Sequence, residues 1–302
     1  MADVPILLLG YNRPDYLADR LQELRKIAPP LIYISIDGST DALADEITET
    51  LNTNLKNWPS ASRVEIWRHK ENLGLTGHIP GAISRVLQEN LKVIIVEDDI
   101  SLSPNFYINM MRGFETLASN NIQGTVGAFS PLKLPRNLEF LNRWRTTHYF
   151  SCWGWGVSRE IWLKYEVDLR KEDIDNSLSK SHTWKNLSLA QQTVWRKRFQ
   201  KIVSHPRDTW DVQAQYMSFR YDFVNILPIS RFIDNVGFSD NRSVHTIGKK
   251  PRWFQSGGYS IAKIKCSSIT PLSKFFTTFI DSNTFIGDSR FFQWWNNRRI
   301  NS

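Results

Sequence analysis

Three consecutive carboxylates end a short apolar run in the first third of the chain. The β-branched residues 93–96 are followed directly by Glu97, Asp98 and Asp99. Such a run predicts a strand buried on both faces, and open α/β sheets bind ligands at the carboxyl ends of their strands. Because adjacent carboxylates repel each other and are costly to desolvate, they need a cation or hydrogen-bond donors. The run therefore predicts a divalent-metal site beside a phosphorylated ligand, and the alternative is a solvated acidic turn.

Polar side chains suited to a nucleotide follow the other strands predicted in the first half. Arg13 follows the first strand, and its planar fork can stack on a base or grip a phosphate. Asp37 follows the second strand, where it either accepts a hydrogen bond from a base or ribose or closes a turn with Gly38. Asn72 follows the third strand, and His78 lies near a helix start, within reach of a diphosphate. Because neither GxGxxG nor GxxxxGK[ST] occurs at these positions, dinucleotide and P-loop binding are not predicted.

The composition is typical of a globular enzyme. The chain has 302 residues, of which 41% are hydrophobic and 23% charged, which excludes a disordered class. Its net charge of +8 favours anionic ligands or surfaces. The two cysteines, Cys152 and Cys266, do not form a disulfide framework, which predicts a cytoplasmic location. We see no secretory signal and no apolar stretch near the ~20 residues of a membrane span.

Strands and helices are predicted to alternate with short connections along the first hundred residues. This repeated β-α-β pattern predicts a right-handed, doubly wound sheet. The second half is predicted to add further strands and helices to it. The predicted strands are 5–10, 31–36, 63–67, 93–96, 125–130, 148–151 and 223–229, and the predicted helices are 15–27, 41–55, 80–91, 159–165, 187–202 and 211–220.

Several segments, taken in order, resemble the GT-A glycosyltransferases, above all the N-acetylglucosaminyltransferase I type and bacterial family 2-like enzymes. The resemblance covers about residues 4–240, and it departs from the family at Val212, where a second acid often follows the Trp-Asp pair. The matching segments are ILLLGYNRP (6–14), SIDG (35–38), VEDD (96–99) with PNF (104–106), WGWG (153–156) with EIW (160–162), WD (210–211), and PISR (228–231) with GF (237–238).

This resemblance implies a fold class and a domain organisation. The fold would be α/β of the GT-A type, a Rossmann-like, mixed and mostly parallel sheet flanked by helices. A single main domain would span 1–249, with a nucleotide-binding half at 1–99 and a sugar and acceptor half at 100–249. Residues 250–302 would form a C-terminal extension of unknown role. Its aromatic and basic end, around Trp294 and Arg298, predicts either an amphipathic helix on a membrane surface or partner, or a terminal helix packed on the domain.

The resemblance also implies a metal-dependent, inverting transfer from a nucleoside-diphosphate sugar, with a UDP-sugar preferred. Asp99, the last acid of the triplet, would coordinate Mn²⁺ or Mg²⁺ across the two phosphates. Glu97 and Asp98 would hydrogen-bond the donor sugar and ribose, and Arg13 would contact the nucleotide. The segments PISR (228–231) and GF (237–238) would belong to a loop that closes over the donor. His245 follows them and is a candidate second metal ligand, and the alternative is that this histidine binds no metal.

The acceptor side of the site is implied by the Trp-Asp and Trp-Gly segments. Asp211 would be the general base, and the alternative is an acid favoured in a first helical turn behind Asp208 as N-cap. Trp210 would pack on the donor sugar or, alternatively, lie in the core. Trp153 and Trp155 would frame the donor or acceptor sugar or, alternatively, pack beneath the sheet.

Two other classes of protein stay open on the sequence. A nucleotidyltransferase that makes sugar nucleotides would want a glycine- and arginine-rich phosphate loop after the first strand, and residues 11–14 lack those glycines. A non-catalytic sugar- or nucleotide-binding protein is the third class, against which the presence of Asp99 and Asp211 argues. The acceptor is open between a glycan, a lipid and a protein, and nucleic acid is not predicted as a partner.

Overall fold

The computed structural model describes residues 3–132, 134–206, 209–239, 242, 258–264, 269, 281 and 285. These residues form an α/β fold built on an eight-stranded mixed sheet, beside a separate two-stranded sheet. The predicted α/β class with a mixed sheet is therefore confirmed.

Four parallel strands make the first half of the large sheet. Their order is β3-β2-β1-β4, so all four carboxyl ends lie along one edge, and Leu9 is paired with both Ser35 and Glu97. The strands are β1 (Ile6–Gly10), β2 (Leu31–Ile36), β3 (Arg63–Arg68) and β4 (Lys92–Glu97), and the helices between them are α1 (Pro14–Ile27), α2 (Asp41–Leu55) and α3 (Gly74–Glu89).

Helix α3 differs from its prediction because it begins six residues before Pro80, at Gly74. A proline is favoured in a first helical turn, which made residue 80 the predicted start. Here Pro80 lies inside the helix and is buried. The true start is capped from outside the helix, since Asp37 accepts the backbone N–H groups of Leu73 and Gly74.

The second half completes the sheet with strands of mixed direction. The full order is β3-β2-β1-β4-β8-β6-β9-β7, in which β8 is antiparallel to both β4 and β6. A separate antiparallel pair is formed by β5 and β10. The bounds are β5 (Ile100–Leu102), β6 (Val126–Gly127), β7 (Trp144–Thr147), β8 (Trp155–Ser158), β9 (Asn225–Pro228) and β10 (Ile233–Asn235).

The predicted strand at 148–151 is wrong. Side chains of a neighbouring helix take the backbone hydrogen bonds of this segment, because Gln215 accepts from the Phe150 N–H and Gln215 and Ser218 donate to the His148 carbonyl. The extended residues lie on either side, in β7 and β8. The predicted strand at 125–130 is shorter in the structure, where β6 spans only Val126–Gly127.

Helices cover both faces of the sheet. One core cluster joins the sheet to α1, α2 and α4, and another joins its opposite face to α3, α5 and α9. A third, aromatic cluster lies among α6, α7, α8 and α9. Helices α4, α6 and α7 were not predicted. The bounds are α4 (Phe106–Ser119), α5 (Arg159–Trp162), α6 (Lys171–Lys180), α7 (His182–Asn186), α8 (Leu189–Ser204) and α9 (Asp211–Arg220).

The described residues of the C-terminal extension pack against the second half of the domain. Ile264 is fully buried in the core cluster that contains α4, and its N–H donates to Asn109 Oδ1 over 2.9 Å. Asp281 forms a buried ion pair with Arg145, and Phe285 stacks on Tyr149 at 5.1 Å between ring centroids. The predicted amphipathic segment around Trp294 lies outside the described residues.

The search for membrane-spanning helices gave a negative result. Across the described ranges, no helix combines the length and the apolar character needed to cross a bilayer.

Candidate functional site

The acid triplet lies at the junction between the two sheets. Glu97 is the last residue of β4, and Asp98 and Asp99 form the turn into β5. Asp98 is 2% exposed and Asp99 is 8% exposed. The segment after β10 closes over Asp99, since the Val236 N–H donates to the Asp99 carbonyl over 2.9 Å. A Cβ on Gly237 would lie 2.5 Å from Asp99 Oδ2, so only glycine fits beside this carboxylate.

Arg13 reaches these acids from the end of β1. Its Nη2 lies 2.5 Å from Asp98 Oδ1, and its Nη1 lies 3.2 Å from Asp99 Oδ2. Burial opposes the charge of the guanidinium, but the two carboxylates outweigh burial and raise the pKa of Arg13. The predicted nucleotide-binding arginine is thus a charged partner of the predicted metal ligand.

The carboxylates exceed the positive charge around them. Burial raises the pKa of Glu97 well above its usual value, and the charges of Asp99 and Asp98 raise it further. Burial also raises the pKa of Asp98 to about 7, against the opposing effect of Arg13. Among the described residues, Arg13 pairs with Asp98 and Asp99, and the charge of Arg20 also lowers the pKa of Asp99. Such a cluster favours binding of a proton or a further cation.

Asp211 belongs to the same electrostatic environment. It is the first residue of α9 and is half-buried, and the Thr209 hydroxyl donates to its carboxylate. Its charge is the smallest of the named contributions to the raised pKa of Glu97, after burial and the charges of Asp99, Asp98 and Arg13. Asp208, the predicted N-cap, lies outside the described residues. Trp210 takes the N-cap position without a side-chain hydrogen bond.

Cys152 is a residue that the sequence analysis missed as a site member. Its thiol is half-buried in the turn before β8. Burial raises the pKa of Cys152 well above its usual value, and the charges of Asp211 and Glu97 add to that effect. The charges of the predicted base and of the acid triplet thus both act on this thiol. In the sequence, Cys152 directly precedes the Trp153–Gly156 segment, and that position could have indicated it as a candidate site residue.

Two predicted donor-binding residues meet at the start of α3. Asp37 accepts the N–H groups of Gly38 at 2.9 Å, Leu73 at 2.8 Å and Gly74 at 3.1 Å. Asn72 Oδ1 accepts the Gly74 N–H at 2.7 Å, and its Nδ2 donates to the Tyr11 hydroxyl at 2.7 Å. Asp37 therefore closes a turn with Gly38, which was the alternative to nucleotide binding. Its contact with a nucleotide stays a prediction.

His78 lies under α3 against the sheet. It is 5% exposed, and its Nε2 lies 2.9 Å from the Ser35 hydroxyl. Burial lowers the pKa of His78 to about 4, so the imidazole is neutral near pH 7. A buried, neutral and hydrogen-bonded imidazole does not suit a diphosphate, and the predicted diphosphate contact of His78 is not supported.

The candidate tryptophans separate into two environments. Trp155 has no exposed surface, and Trp210 stacks on it with 5.6 Å between the ring centroids. Both lie in the core, which was the alternative weighed for each of them. Trp153 is half-buried and makes edge contacts with Phe129 at 4.6 Å and Phe238 at 5.5 Å. Trp153 therefore contacts the residue that follows Gly237, the glycine beside Asp99.

The acid triplet, Glu97, Asp98 and Asp99, could contribute oxygen ligands to a divalent cation if a substrate supplied the others. In the described part of the chain, no group of three His, Cys, Asp or Glu side chains is placed to hold a metal ion. His245, the predicted second ligand, lies outside that part. Mg²⁺ is commonly held by one or two carboxylates together with substrate phosphates. The uncompensated charge at Glu97, Asp98 and Asp99 suits that mode of binding.

A groove on the α3 side lies apart from these residues. Its volume is about 620 Å³, and it runs between α3 and the segment that follows β8. Pro80, Leu87, Trp162 and Tyr165 contribute to its largely apolar wall. None of the predicted site residues lines it.

No protein-family model matches the chain, and a search of the curated proteins gives no matching sequence. The functional interpretation therefore depends on the residues and their geometry.

Proposed function

We propose that this protein is a metal-dependent, inverting glycosyltransferase of the GT-A type that uses a nucleoside-diphosphate sugar, with a UDP-sugar preferred. The observation that carries the proposal is the excess of buried negative charge at the carboxyl end of β4. A buried cluster of this kind is costly to the folded state, and it is explained if a cationic ligand completes it.

The position of the cluster supports a nucleotide-dependent reaction. β4 lies between the parallel strands of the first half and the antiparallel β8, where the direction of the sheet changes. Ligands of α/β sheets bind in the crevice at such points. The ends of β1 and β2 place Arg13 and Asp37 along the same edge, where a base, ribose and diphosphate would extend across the parallel strands.

Asp99 would hold the metal, and each of the other residues has a proposed role. A bound Mn²⁺ or Mg²⁺ would neutralise the negative charge of the diphosphate leaving group. Arg13 would contact the diphosphate through its paired N–H groups. Glu97 and Asp98 would accept hydrogen bonds from hydroxyl groups of the donor, and Trp153 would flank the sugar.

Asp211 would act on the acceptor. Its carboxylate would accept the proton of the attacking hydroxyl, whose oxygen then bonds to the anomeric carbon as the bond from that carbon to the phosphate breaks. A single displacement of this kind inverts the anomeric centre. The half-buried position of Asp211, with the Thr209 hydroxyl donating to it, holds one carboxylate oxygen in place.

A donor screen tests the proposal directly. Calorimetric titrations of UDP-, GDP- and dTDP-sugars would be run with Mn²⁺ and again with EDTA, together with an assay for nucleotide release. We expect one nucleotide class to bind, only with the metal, and to be turned over slowly by hydrolysis. Failure of all three classes to bind in the presence of Mn²⁺ or Mg²⁺ would contradict the proposed function.

A further inference from the structure

We propose that Arg13, paired with Asp98 and Asp99, is the resident cation of the acid cluster in the free protein, and that it competes with a divalent metal for Asp99. The inference rests on the proposed function, because it concerns how the same site receives its metal. It predicts that free Mn²⁺ binds poorly until Arg13 gains another anionic partner.

The geometry places the guanidinium on both carboxylates at once. Its two Nη atoms lie 2.5 Å from Asp98 Oδ1 and 3.2 Å from Asp99 Oδ2. Asp99 Oδ2 is also closed on another side, where Gly237 leaves no room for a Cβ. The guanidinium of Arg13 therefore lies next to Asp99 Oδ2, and a metal that binds this oxygen would have to displace it.

Electrostatics make this competition strong. A divalent ion and a guanidinium a few ångströms apart repel each other, and the repulsion is large in a partly buried site. Arg13 and the acids have side-chain exposures of 14%, 3% and 12%, so water screens them weakly. Binding a free metal thus requires Arg13 to leave Asp99.

A nucleoside diphosphate removes that obstacle. Its phosphate oxygens offer the planar fork of Arg13 a bidentate partner of equal quality. Arg13 lies in the short loop after β1, immediately before α1, so its side chain can exchange partners while its backbone stays at the sheet edge. Metal and nucleotide would then strengthen each other's binding by the same factor, as linkage requires.

The test measures Mn²⁺ binding without nucleotide, by the loss of the free-ion signal in electron paramagnetic resonance. We expect Arg13→Gln to bind free Mn²⁺ about tenfold tighter or more than the unmodified protein. Arg242→Gln is the matched control. Arg242 lies over the same Tyr16 ring as Arg13, at 5.4 Å, but its ion pair is with Asp15. The control should change Mn²⁺ affinity by less than about twofold.

A second variant guards against loss of the fold. Arg13→Lys keeps the positive charge and should stay closer to the unmodified protein in Mn²⁺ affinity than Arg13→Gln does. Circular dichroism would establish that every variant is folded. The inference is overturned if Arg13→Gln binds free Mn²⁺ no tighter than the unmodified protein, or if Arg242→Gln tightens binding equally.

Failure of the inference and failure of the proposed function have different signatures. Tighter Mn²⁺ binding by Arg13→Gln, with no sugar nucleotide bound by any form, would support the resident cation and contradict the glycosyltransferase. Sugar-nucleotide binding and turnover, with Mn²⁺ affinity unaffected by Arg13→Gln, would support the glycosyltransferase and contradict the role of Arg13 as resident cation.

Discussion

Two arginines pair with buried carboxylates in this protein, and their surroundings differ in charge balance. Arg13 faces Asp98 and Asp99, with Glu97 beside them. Arg145, which is 1% exposed, pairs with Asp281 at 2.7 Å, and the Thr147 hydroxyl donates to the same carboxylate. The first set has more negative than positive charge, whereas the second pairs one charge with one.

The pKa shifts of the acids express the same difference. Burial raises the pKa of Asp281, and its neighbours Arg145, Thr147 and His148 all lower it. Burial also raises the pKa of Glu97, but there neighbouring carboxylates raise it further. The chain itself compensates the charge of the Asp281 pair, which ties the extension to β7. On the proposed function, a ligand would compensate the remaining charge of the acid cluster, which is the expected difference between a structural and a functional site.

The largest expected effect is on the acid cluster. Asp99→Asn should abolish Mn²⁺-dependent nucleotide binding and turnover, because it removes the charge proposed to hold the metal with little change in volume. The free energy of unfolding should stay the same or rise, since one of three repelling carboxylates is gone. Calorimetry with UDP and urea denaturation would measure the two effects.

Asp15→Asn is the matched control for that substitution, since Asp15 is an exposed carboxylate paired with Arg242. It should leave nucleotide binding intact. Undiminished Mn²⁺-dependent UDP binding by Asp99→Asn would remove Asp99 from the site and weaken the contrast between the two regions.

The proposed base gives the next largest effect. Asp211→Asn should lower the rate at saturating donor and acceptor by about 10²–10⁴-fold, the usual scale for losing a general base. Donor affinity should change little, because in the proposed mechanism the carboxylate acts on the acceptor. Proton NMR of the new linkage provides a second check, since an α-linked donor should give a β-linked product. Retention of configuration would exclude Asp211 as the base of a single displacement.

The Arg145–Asp281 pair should affect stability and not binding. Asp281→Asn leaves Arg145 buried and without its counter-ion, and we expect the free energy of unfolding to fall by about 3–5 kcal/mol. Nucleotide affinity should be unchanged at a temperature where the variant is folded. Asp175→Asn is the control, because Asp175 pairs with Arg196 at the surface and its loss should cost less than about 1 kcal/mol. Equal losses in the two variants would show that the buried pair is not structural.

The smallest effect concerns His78 and the pH dependence of stability. Its pKa is about 4 when folded, below the 6.5 of an ordinary histidine. Between these values the unfolded chain binds the extra proton, so the free energy of unfolding falls as the pH falls, by roughly 3 kcal/mol in all. Urea denaturation of the unmodified protein and His78→Gln from pH 7 to pH 4 would measure the difference. If the free energy of unfolding changed with pH in the same way for the two proteins, His78 would not be buried and neutral in the folded state.

Much of the fold was predictable because it depends on local periodicity. The strand at 31–36 and the helix at 41–55 have their predicted bounds, since apolar spacing along the chain is enough to define them. Helix α6 was not predicted, because it buries only Ile174 and Leu178 and its apolar pattern is weak. The start of α3 was wrong because its cap, Asp37, comes from another element.

The sequence by itself determined the α/β alternation and the placement of three carboxylates at a strand end, where a cation is needed. Only the tertiary structure decided which charges meet there. It set Arg13 on Asp98 and Asp99, brought Asp211 and Cys152 towards Glu97, and buried Trp155 and Trp210 in the core. It also paired Asp281 with Arg145 across 136 positions of the chain. The physical reason is that periodicity is a property of neighbours in sequence, whereas ion pairs and aromatic stacks depend on how separate elements pack.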